Sequence, residues 1–211
     1  MSVHLRPEEI EAESFRIIDA EVGAHEWPAA EWSIVRRVIH TSADFDYARS
    51  MVISADAVER GISALRAGRG IVTDTTMALS GINRGLLQRF GVPVSCFVAD
   101  PAVSAEAPRL GITRSILAMR KGAGDPGNGI FVVGNAPTAL FELLRLVREE
   151  GLRPDLAIGL PVGFVGAEES KEKLLREALE QGIPFISNRG RKGGSNVAAA
   201  VVNALLKLAE R

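Results

Sequence analysis

The sequence contains one cysteine, Cys96. An intrachain disulfide is therefore excluded, and a reducing compartment fits that usage. Charge of one sign is also scarce: 25 basic residues stand against 26 acidic ones, a formal net charge of −1. A general nucleic-acid binder carries a strong basic excess, so the balance argues against that class and leaves room only for local basic clusters. No apolar stretch approaches the length of a membrane span. The opening Met1-Ser-Val-His-Leu-Arg-Pro-Glu-Glu-Ile10 lacks the apolar centre of a signal peptide. A soluble, cytoplasmic protein with no nucleic-acid and no membrane partner is expected. His4 and His25 have no partner at metal-ligand spacing, which argues against a zinc site. Neither Gly-x-Gly-x-x-Gly nor Gly-x4-Gly-Lys-[Ser/Thr] follows a strand pattern, which counts against dinucleotide and P-loop enzymes. No repeat, low-complexity tract or linker divides the 211 residues. That length suits one α/β domain over 1–211 with a packed core.

What is present is concentrated in the last third. Three strand-loop-helix units follow one another there. They are Ile130-Phe-Val-Val-Gly-Asn-Ala-Pro-Thr-Ala-Leu140, Leu156-Ala-Ile-Gly-Leu-Pro-Val-Gly-Phe-Val-Gly-Ala-Glu-Glu-Ser170 and Pro184-Phe-Ile-Ser-Asn-Arg-Gly-Arg-Lys-Gly-Gly-Ser-Asn196. In each, an apolar run meets a Gly- or Pro-broken turn and a helical pattern follows. Such turns lie at the carboxyl ends of parallel strands, where ligands bind. Helix N-termini and glycine-rich backbone attract anions there.

Two further strands are predicted upstream, Ile71–Asp74 and Val94–Ala99. The second reads as buried, with Cys96 as an inert core thiol. Helices are predicted from Pro7, from Pro28 to about Ile39, from Ser54 as N-cap to Ala67, and after Asn83 to Phe90. Val103 to Met119 has helical spacing that Pro108 and Gly111 must break. Five strands alternating with helices predict a doubly wound α/β fold: a mainly parallel five-stranded sheet with helices on both faces.

Several residues have two readings each. His40 ends a helix: it is either a C-terminal cap favoured by the dipole or a proton donor, since its ordinary pKa lies near neutrality. Arg114 opens a helix, where the dipole does not favour it. It is either a carboxylate ligand or a surface arginine. Asp74, at a strand end, either caps the Thr76 or Met77 N–H or belongs to a site. Ser14 sits mid-helix beside apolar positions, structural or functional. Arg189, Arg191 and Lys192 precede Gly193-Gly194-Ser195, and a strand's carboxyl end favours a ligand contact over a solvated charge run. Asn135 and Thr138 flank Pro137 in a comparable loop.

At these residues the chain resembles the precorrin-8X methylmutase family of the cobalamin pathway, which includes the cobalt-precorrin-8 methylmutases. The likeness is carried by Glu13-Ser14-Phe15-Arg16-Ile17-Ile18, the helix end Val38-Ile39-His40 and Gly111-Ile112-Thr113-Arg114-Ser115. It continues through Gly134-Asn-Ala-Pro-Thr-Ala-Leu-Phe141, Gly159-Leu-Pro-Val-Gly-Phe-Val-Gly-Ala-Glu-Glu-Ser-Lys171 and Gly190-Arg-Lys-Gly-Gly-Ser195, and spans almost the whole chain.

The resemblance implies a doubly wound α/β homodimer with the ligand near the subunit interface. It implies an isomerase that moves a methyl group from C11 to C12 of a corrin precursor, giving hydrogenobyrinate or its cobalt counterpart, with no redox or nucleotide cofactor. By resemblance, His40 matches the catalytic histidine, Arg114 the active-site arginine, and Ser14 and Asp74 pocket positions. The residue chemistry agrees. A flat apolar macrocycle rimmed with carboxylates needs aliphatic walls and anion-binding groups. Asn135, Thr138, Arg189, Arg191, Lys192, Gly193, Gly194 and Ser195 are the candidates for that rim. Two other classes stay open at this point: a non-catalytic tetrapyrrole carrier, and a Rossmann-type nucleotide-sugar or phosphate enzyme.

Overall fold

The structure is a computed structural model that describes residues 6–211; His4 lies outside them. Three helices come first, α1 (Pro7–Val22), α2 (Ala29–Ser42) and the single turn α3 (Tyr47–Ser50). Alternation follows: β1 (Met51–Ile53), α4 (Ala57–Arg66), β2 (Gly70–Thr73), α5 (Thr76–Gly81), α6 (Arg84–Phe90), β3 (Val94–Ser95), α7 (Pro101–Glu106) and α8 (Arg114–Ala123). The last third holds β4 (Asn128–Val133), α9 (Pro137–Glu150), β5 (Leu156–Gly159), α10 (Ala167–Gln181), β6 (Phe185–Asn188) and α11 (Ser195–Ala209).

The sheet runs β1-β6-β5-β4-β2-β3 and has six strands, not five. The extra strand, β1, is the antiparallel edge, pairing Met51 with Asn188 and Ile53 with Ile186. Three residues are too few to show a period-2 pattern, which is why the sequence hides it. Ser54 continues that edge and does not cap a helix. Its N–H donates to the Phe185 carbonyl at 3.0 Å, and its Oγ accepts the Phe185 N–H at 2.9 Å. The helix starts three residues later, after Asp56. Asn83 does cap α6, accepting the Leu86 N–H at 3.0 Å.

β3 stops at Ser95, short of the expected Ala99. The Asp100 N–H bonds to the Phe97 carbonyl and turns the chain into α7. Cys96 is consequently half-buried in a loop, not in the core.

The central strands are apolar on both faces, as a covered parallel sheet requires. Ile71, Ile130, Val132, Leu156, Ile158 and Ile186 face one core, with α2, α4 and α11. Val72, Phe131, Val133, Ala157 and Phe185 face the other, with α9 and α10. α11 is apolar almost all round because it packs on the sheet side and on α2 at once. Five parallel strands run β3-β2-β4-β5-β6, so the winding reverses between β2 and β4. That reversal is where an open α/β sheet leaves its crevice.

Candidate active site

His40 lies in the last turn of α2, half-buried. Phe15 of α1 meets its imidazole edge to face, ring centroids 5.4 Å apart and planes at 69°. Phe15 is itself held by two guanidinium groups, Arg36 at 4.4 Å and Arg37 at 4.8 Å from the ring centroid. Those arginines tie α2 to α1. Arg37 makes a two-bond pair with Glu11 at 2.7 and 3.1 Å, and Arg36 binds Asp19 at 2.7 Å. The Trp32 indole N–H also donates to Asp19, at 2.9 Å. The Arg37 guanidinium holds the Glu11 carboxyl below its usual range, against partial burial, and His40 adds a weaker attraction.

This packing brings Ser14 and His40 onto one cleft of about 340 Å³. Its other walls are Ile17, Ile18, Ile39, Ala43 and Phe45, with Glu21 at the edge. The Ser14 Oγ–H donates back to the Ile10 carbonyl at 2.8 Å, so an oxygen lone pair is what it offers outward. The sequence did not single out Phe45; it is a partly exposed apolar side chain in a turn, a signal too weak to stand out.

The turn after His40 has an unusual backbone. Ala43 sits at φ 54°, the left-handed region, and its N–H closes α2 on the Ile39 carbonyl at 2.7 Å. Alanine there costs about 1 kcal/mol. Beyond it a second hollow, about 330 Å³, lies between Thr41, Ser42, Asp44 and Tyr47 on one side and Val162, Lys192, Gly193 and Asn196 on the other. The end of α2 therefore adjoins the loops that follow β5 and β6.

Asp74 caps neither Thr76 nor Met77. Its buried carboxylate reaches across the reversal point and accepts three backbone N–H bonds, from Gly134 at 2.9 Å, Asn135 at 2.8 Å and Ala136 at 2.7 Å. Burial pushes its pKa up, and the three amides pull it back in part. The Thr75 and Ser195 hydroxyls pair at 2.7 Å over the same crevice. Gly134 has no room for a side chain, since a Cβ there would sit 2.7 Å from the Ser195 Cα. The amides that attract anions at this point are thus filled by the protein's own carboxylate.

Arg114 is exposed at the first turn of α8. Its helix cap Thr113 meets Thr138 of α9, hydroxyl to hydroxyl, at 3.2 Å, so Arg114, Thr138 and the exposed Asn135 form one neighbourhood. Arg114 is not among the residues lining the His40 cleft. The basic loop is less free than its sequence reads. Arg189 pairs with Glu172 at 3.1 Å, Arg191 with Glu168 at 3.7 Å, and Lys192 with Asp44 at 2.7 Å and Asp46 at 2.5 Å. Its glycines have packing roles. A Cβ on Gly193 would meet the Leu160 carbonyl oxygen at 2.2 Å, and the Gly194 N–H bonds to that oxygen at 2.9 Å.

His25 stacks on Trp32 with centroids 4.0 Å apart. Among the described residues no group of three or more His, Cys, Asp or Glu is placed to hold a metal ion, and no helix is long and apolar enough to cross a membrane.

The model of the precorrin-8X methylmutase family matches residues 9–208. The chain belongs to that family. As such it is an isomerase, a methylmutase of cobalamin biosynthesis. It is 48% identical to the cobalt-precorrin-8 methylmutase of Salmonella typhimurium over 208 residues, 95% of this chain and 95% of the relative. It is 46% identical to that of Priestia megaterium over 206 residues, 98% of this chain and 90% of the relative. Among solved structures, a precorrin-8X methyl mutase from Thermus thermophilus superposes with a TM-score of 0.83 at 41% identity, covering 95% of this chain and 97% of that one.

Proposed function

We propose that the chain moves a methyl group from C11 to C12 of cobalt-precorrin-8, or of metal-free precorrin-8X, with His40 as proton donor to the macrocycle. The observation that carries this is the His40 imidazole, aimed by Phe15 and opening with Ser14 onto a cleft walled by Ile17, Ile18, Ile39 and Phe45. A methyl shift of this kind needs no covalent nucleophile. Protonation of a ring nitrogen redistributes the conjugated electrons so that the bond to C11 breaks as the bond to C12 forms. The reaction is an isomerisation and consumes no net proton, so the imidazole regains its own within the cycle.

The cleft's 340 Å³ is near the lower end for drug-sized ligands and too small for a tetrapyrrole. We take the site to be completed by a second copy of the chain. The exposed apolar side chains Ile10, Ile17 and Phe45 beside the cleft support that homodimer. Arg114, Asn135 and Thr138 bind substrate carboxylates in this reading. Arg189 and Arg191 do so by exchanging their own carboxylate partners, beside the Gly193-Gly194-Ser195 turn, while Lys192 keeps its pairs with Asp44 and Asp46. Asp74 acts through the loop that it holds. The names of the two curated relatives favour the cobalt substrate.

The test is anaerobic turnover of both substrates, followed by the product chromophore. Wild type converts at least one over many cycles. His40→Ala binds with a spectral shift but does not turn over, and normal turnover by that variant refutes the role. Binding without turnover by wild type, on both substrates, would refute the proposed reaction. Light scattering on the purified protein checks the dimer.

A further inference from the structure

We propose that Lys171 is a positioning residue: it anchors the loop after β6 and, through Lys192, the turn that ends the His40 helix. The inference rests on the reading of His40 as the catalytic group.

Lys171 lies in the first half of α10 and is fully buried, among the largest side chains without solvent contact. Glu168 and Glu172, on the same helix, act on it only at a distance, and neither forms an ion pair with it. A lysine in such a place is costly unless its donors are used. A methionine would fill the same volume without that cost.

Its donors are used on one segment. Nζ donates to the Lys192 carbonyl at 2.6 Å and to the Asn188 Oδ1 at 3.2 Å. The Asn188 amide then donates to the carbonyls of Arg189 at 3.0 Å and Lys192 at 2.9 Å. One ammonium and one amide thus hold both ends of Arg189–Lys192. The backbone beyond is pinned as well, because Gly193 lies against the Leu160 carbonyl and Gly194 bonds to it.

The Lys192 backbone being fixed, its side chain becomes a strut. It reaches Asp44 and Asp46, which bracket Phe45, a wall of the His40 cleft. Just before them is Ala43, the one non-glycine residue at positive φ among the described residues. A strained turn persists when its surroundings over-determine it. The chain Lys171, Lys192, Asp44 and Asp46 is a set of contacts able to do that from outside the helix. Burial also draws the Lys171 pKa down to about 8, consistent with an ammonium that has no carboxylate beside it.

The experiment compares Lys171→Met, Lys192→Met and the double variant Asp44→Asn/Asp46→Asn in the full chain. Two readouts are used: kcat and KM on the converted substrate, and the NMR signals of the His40 imidazole. Each variant should lose about ten- to hundredfold in kcat/KM, as small misplacements of a catalytic group do, and should shift the His40 signals. Combining Lys171→Met with the double aspartate change should cost no more than the larger single effect, because both cut one chain of contacts. Unmoved His40 signals in Lys171→Met, or fully additive losses, would overturn the proposal. If Lys171→Met fails to fold, Lys192→Met, a surface change, decides by the same signals. The His40 signals report positioning whatever the turnover, so an active His40→Ala enzyme would remove the catalytic reading without touching this measurement.

Discussion

Asp74→Asn preserves shape and removes charge at the reversal point of the sheet, and its cost follows from three bond lengths. Oδ1 accepts one N–H, from Gly134 at 2.9 Å; Oδ2 accepts two, from Asn135 at 2.8 Å and Ala136 at 2.7 Å. An asparagine has one acceptor oxygen, so its amide nitrogen must face at least one of these donors. In the cheaper orientation the oxygen replaces Oδ2, and the buried Gly134 N–H loses its acceptor. An unsatisfied buried donor costs about 1–3 kcal/mol. The two surviving bonds change from charge-assisted to neutral and weaken by about 1 kcal/mol each. Relief of the buried charge returns part of this. The expected loss is about 3 kcal/mol, which for a chain of this size lowers Tm by roughly 6–12 °C. Urea unfolding followed by circular dichroism at neutral pH measures it. A loss below about 1 kcal/mol would mean that the three amides find other acceptors, and the latch would be refuted.

Glu142 is buried between Arg145 at 2.6 Å and Arg120 at 2.8 Å, and burial, which raises its pKa, is outweighed by the two guanidinium bonds, which lower it. Its folded pKa lies below the unfolded one, so its contribution is complete above about pH 4.5 and is lost as pH falls through the folded value. Wild type should lose its stability margin over Glu142→Gln in that acid range, by denaturant titration, and a constant margin would contradict the pairing. Lys171 gives the same direction of pH dependence from a different cause, since burial disfavours its charged form. Its pKa falls from 10.5 to about 8, so the folded state resists its charge by about 3 kcal/mol below pH 8. Wild type should gain stability relative to Lys171→Met as pH rises from about 8 to 10.5; a flat difference would show that the lysine is not held as described. Gly193→Ala places a Cβ 2.2 Å from one backbone oxygen and 2.8 Å from another. A loss of ~3 kcal/mol or more is expected, and a variant as stable as wild type by thermal melt would disprove the close approach.

The alternation of apolar strands and helices was legible because the central strands are buried on both faces and read as unbroken apolar runs, Phe131–Val133 above all. β1 was not, since its three residues owe their pairing to β6 and to nothing in their own pattern. The Val94–Ala99 run was apolar enough for a strand, but the turn at Phe97 and Asp100 took its second half. At the site, His40 and Ser14 were visible as types, and the reason they share a cleft was not. It lies in long-range pairs, Arg37 with Glu11 and Arg36 with Asp19, whose partners stand 26 and 17 residues apart. Asp74 was visible as a strand-end carboxylate, yet its partners are 60 to 62 residues away. Nothing in the sequence singles out Lys171 among the charges of its helix, and only the packing of α10 shows it buried.

These particulars fit together through the place where the winding reverses. A sheet with this strand order ordinarily offers its ligand the crevice at that point and the amides around it. Here Asp74 fills the amides, and the Thr75–Ser195 pair spans the crevice. An anionic group binding there would have to displace an internal carboxylate, which disfavours phosphate-anchored ligands and explains the missing phosphate-loop patterns. The histidine cleft is instead built on two helices that precede the alternating part of the chain. Its link to the sheet is the end of α2, held against the loops after β5 and β6. In the proposed reading the fold supplies a rigid edge and α1 and α2 supply the chemistry, and the strut from Lys192 to Asp44 and Asp46 is the charged connection between them. If that connection governs the His40 geometry, activity should respond to changes on α10 that touch no substrate.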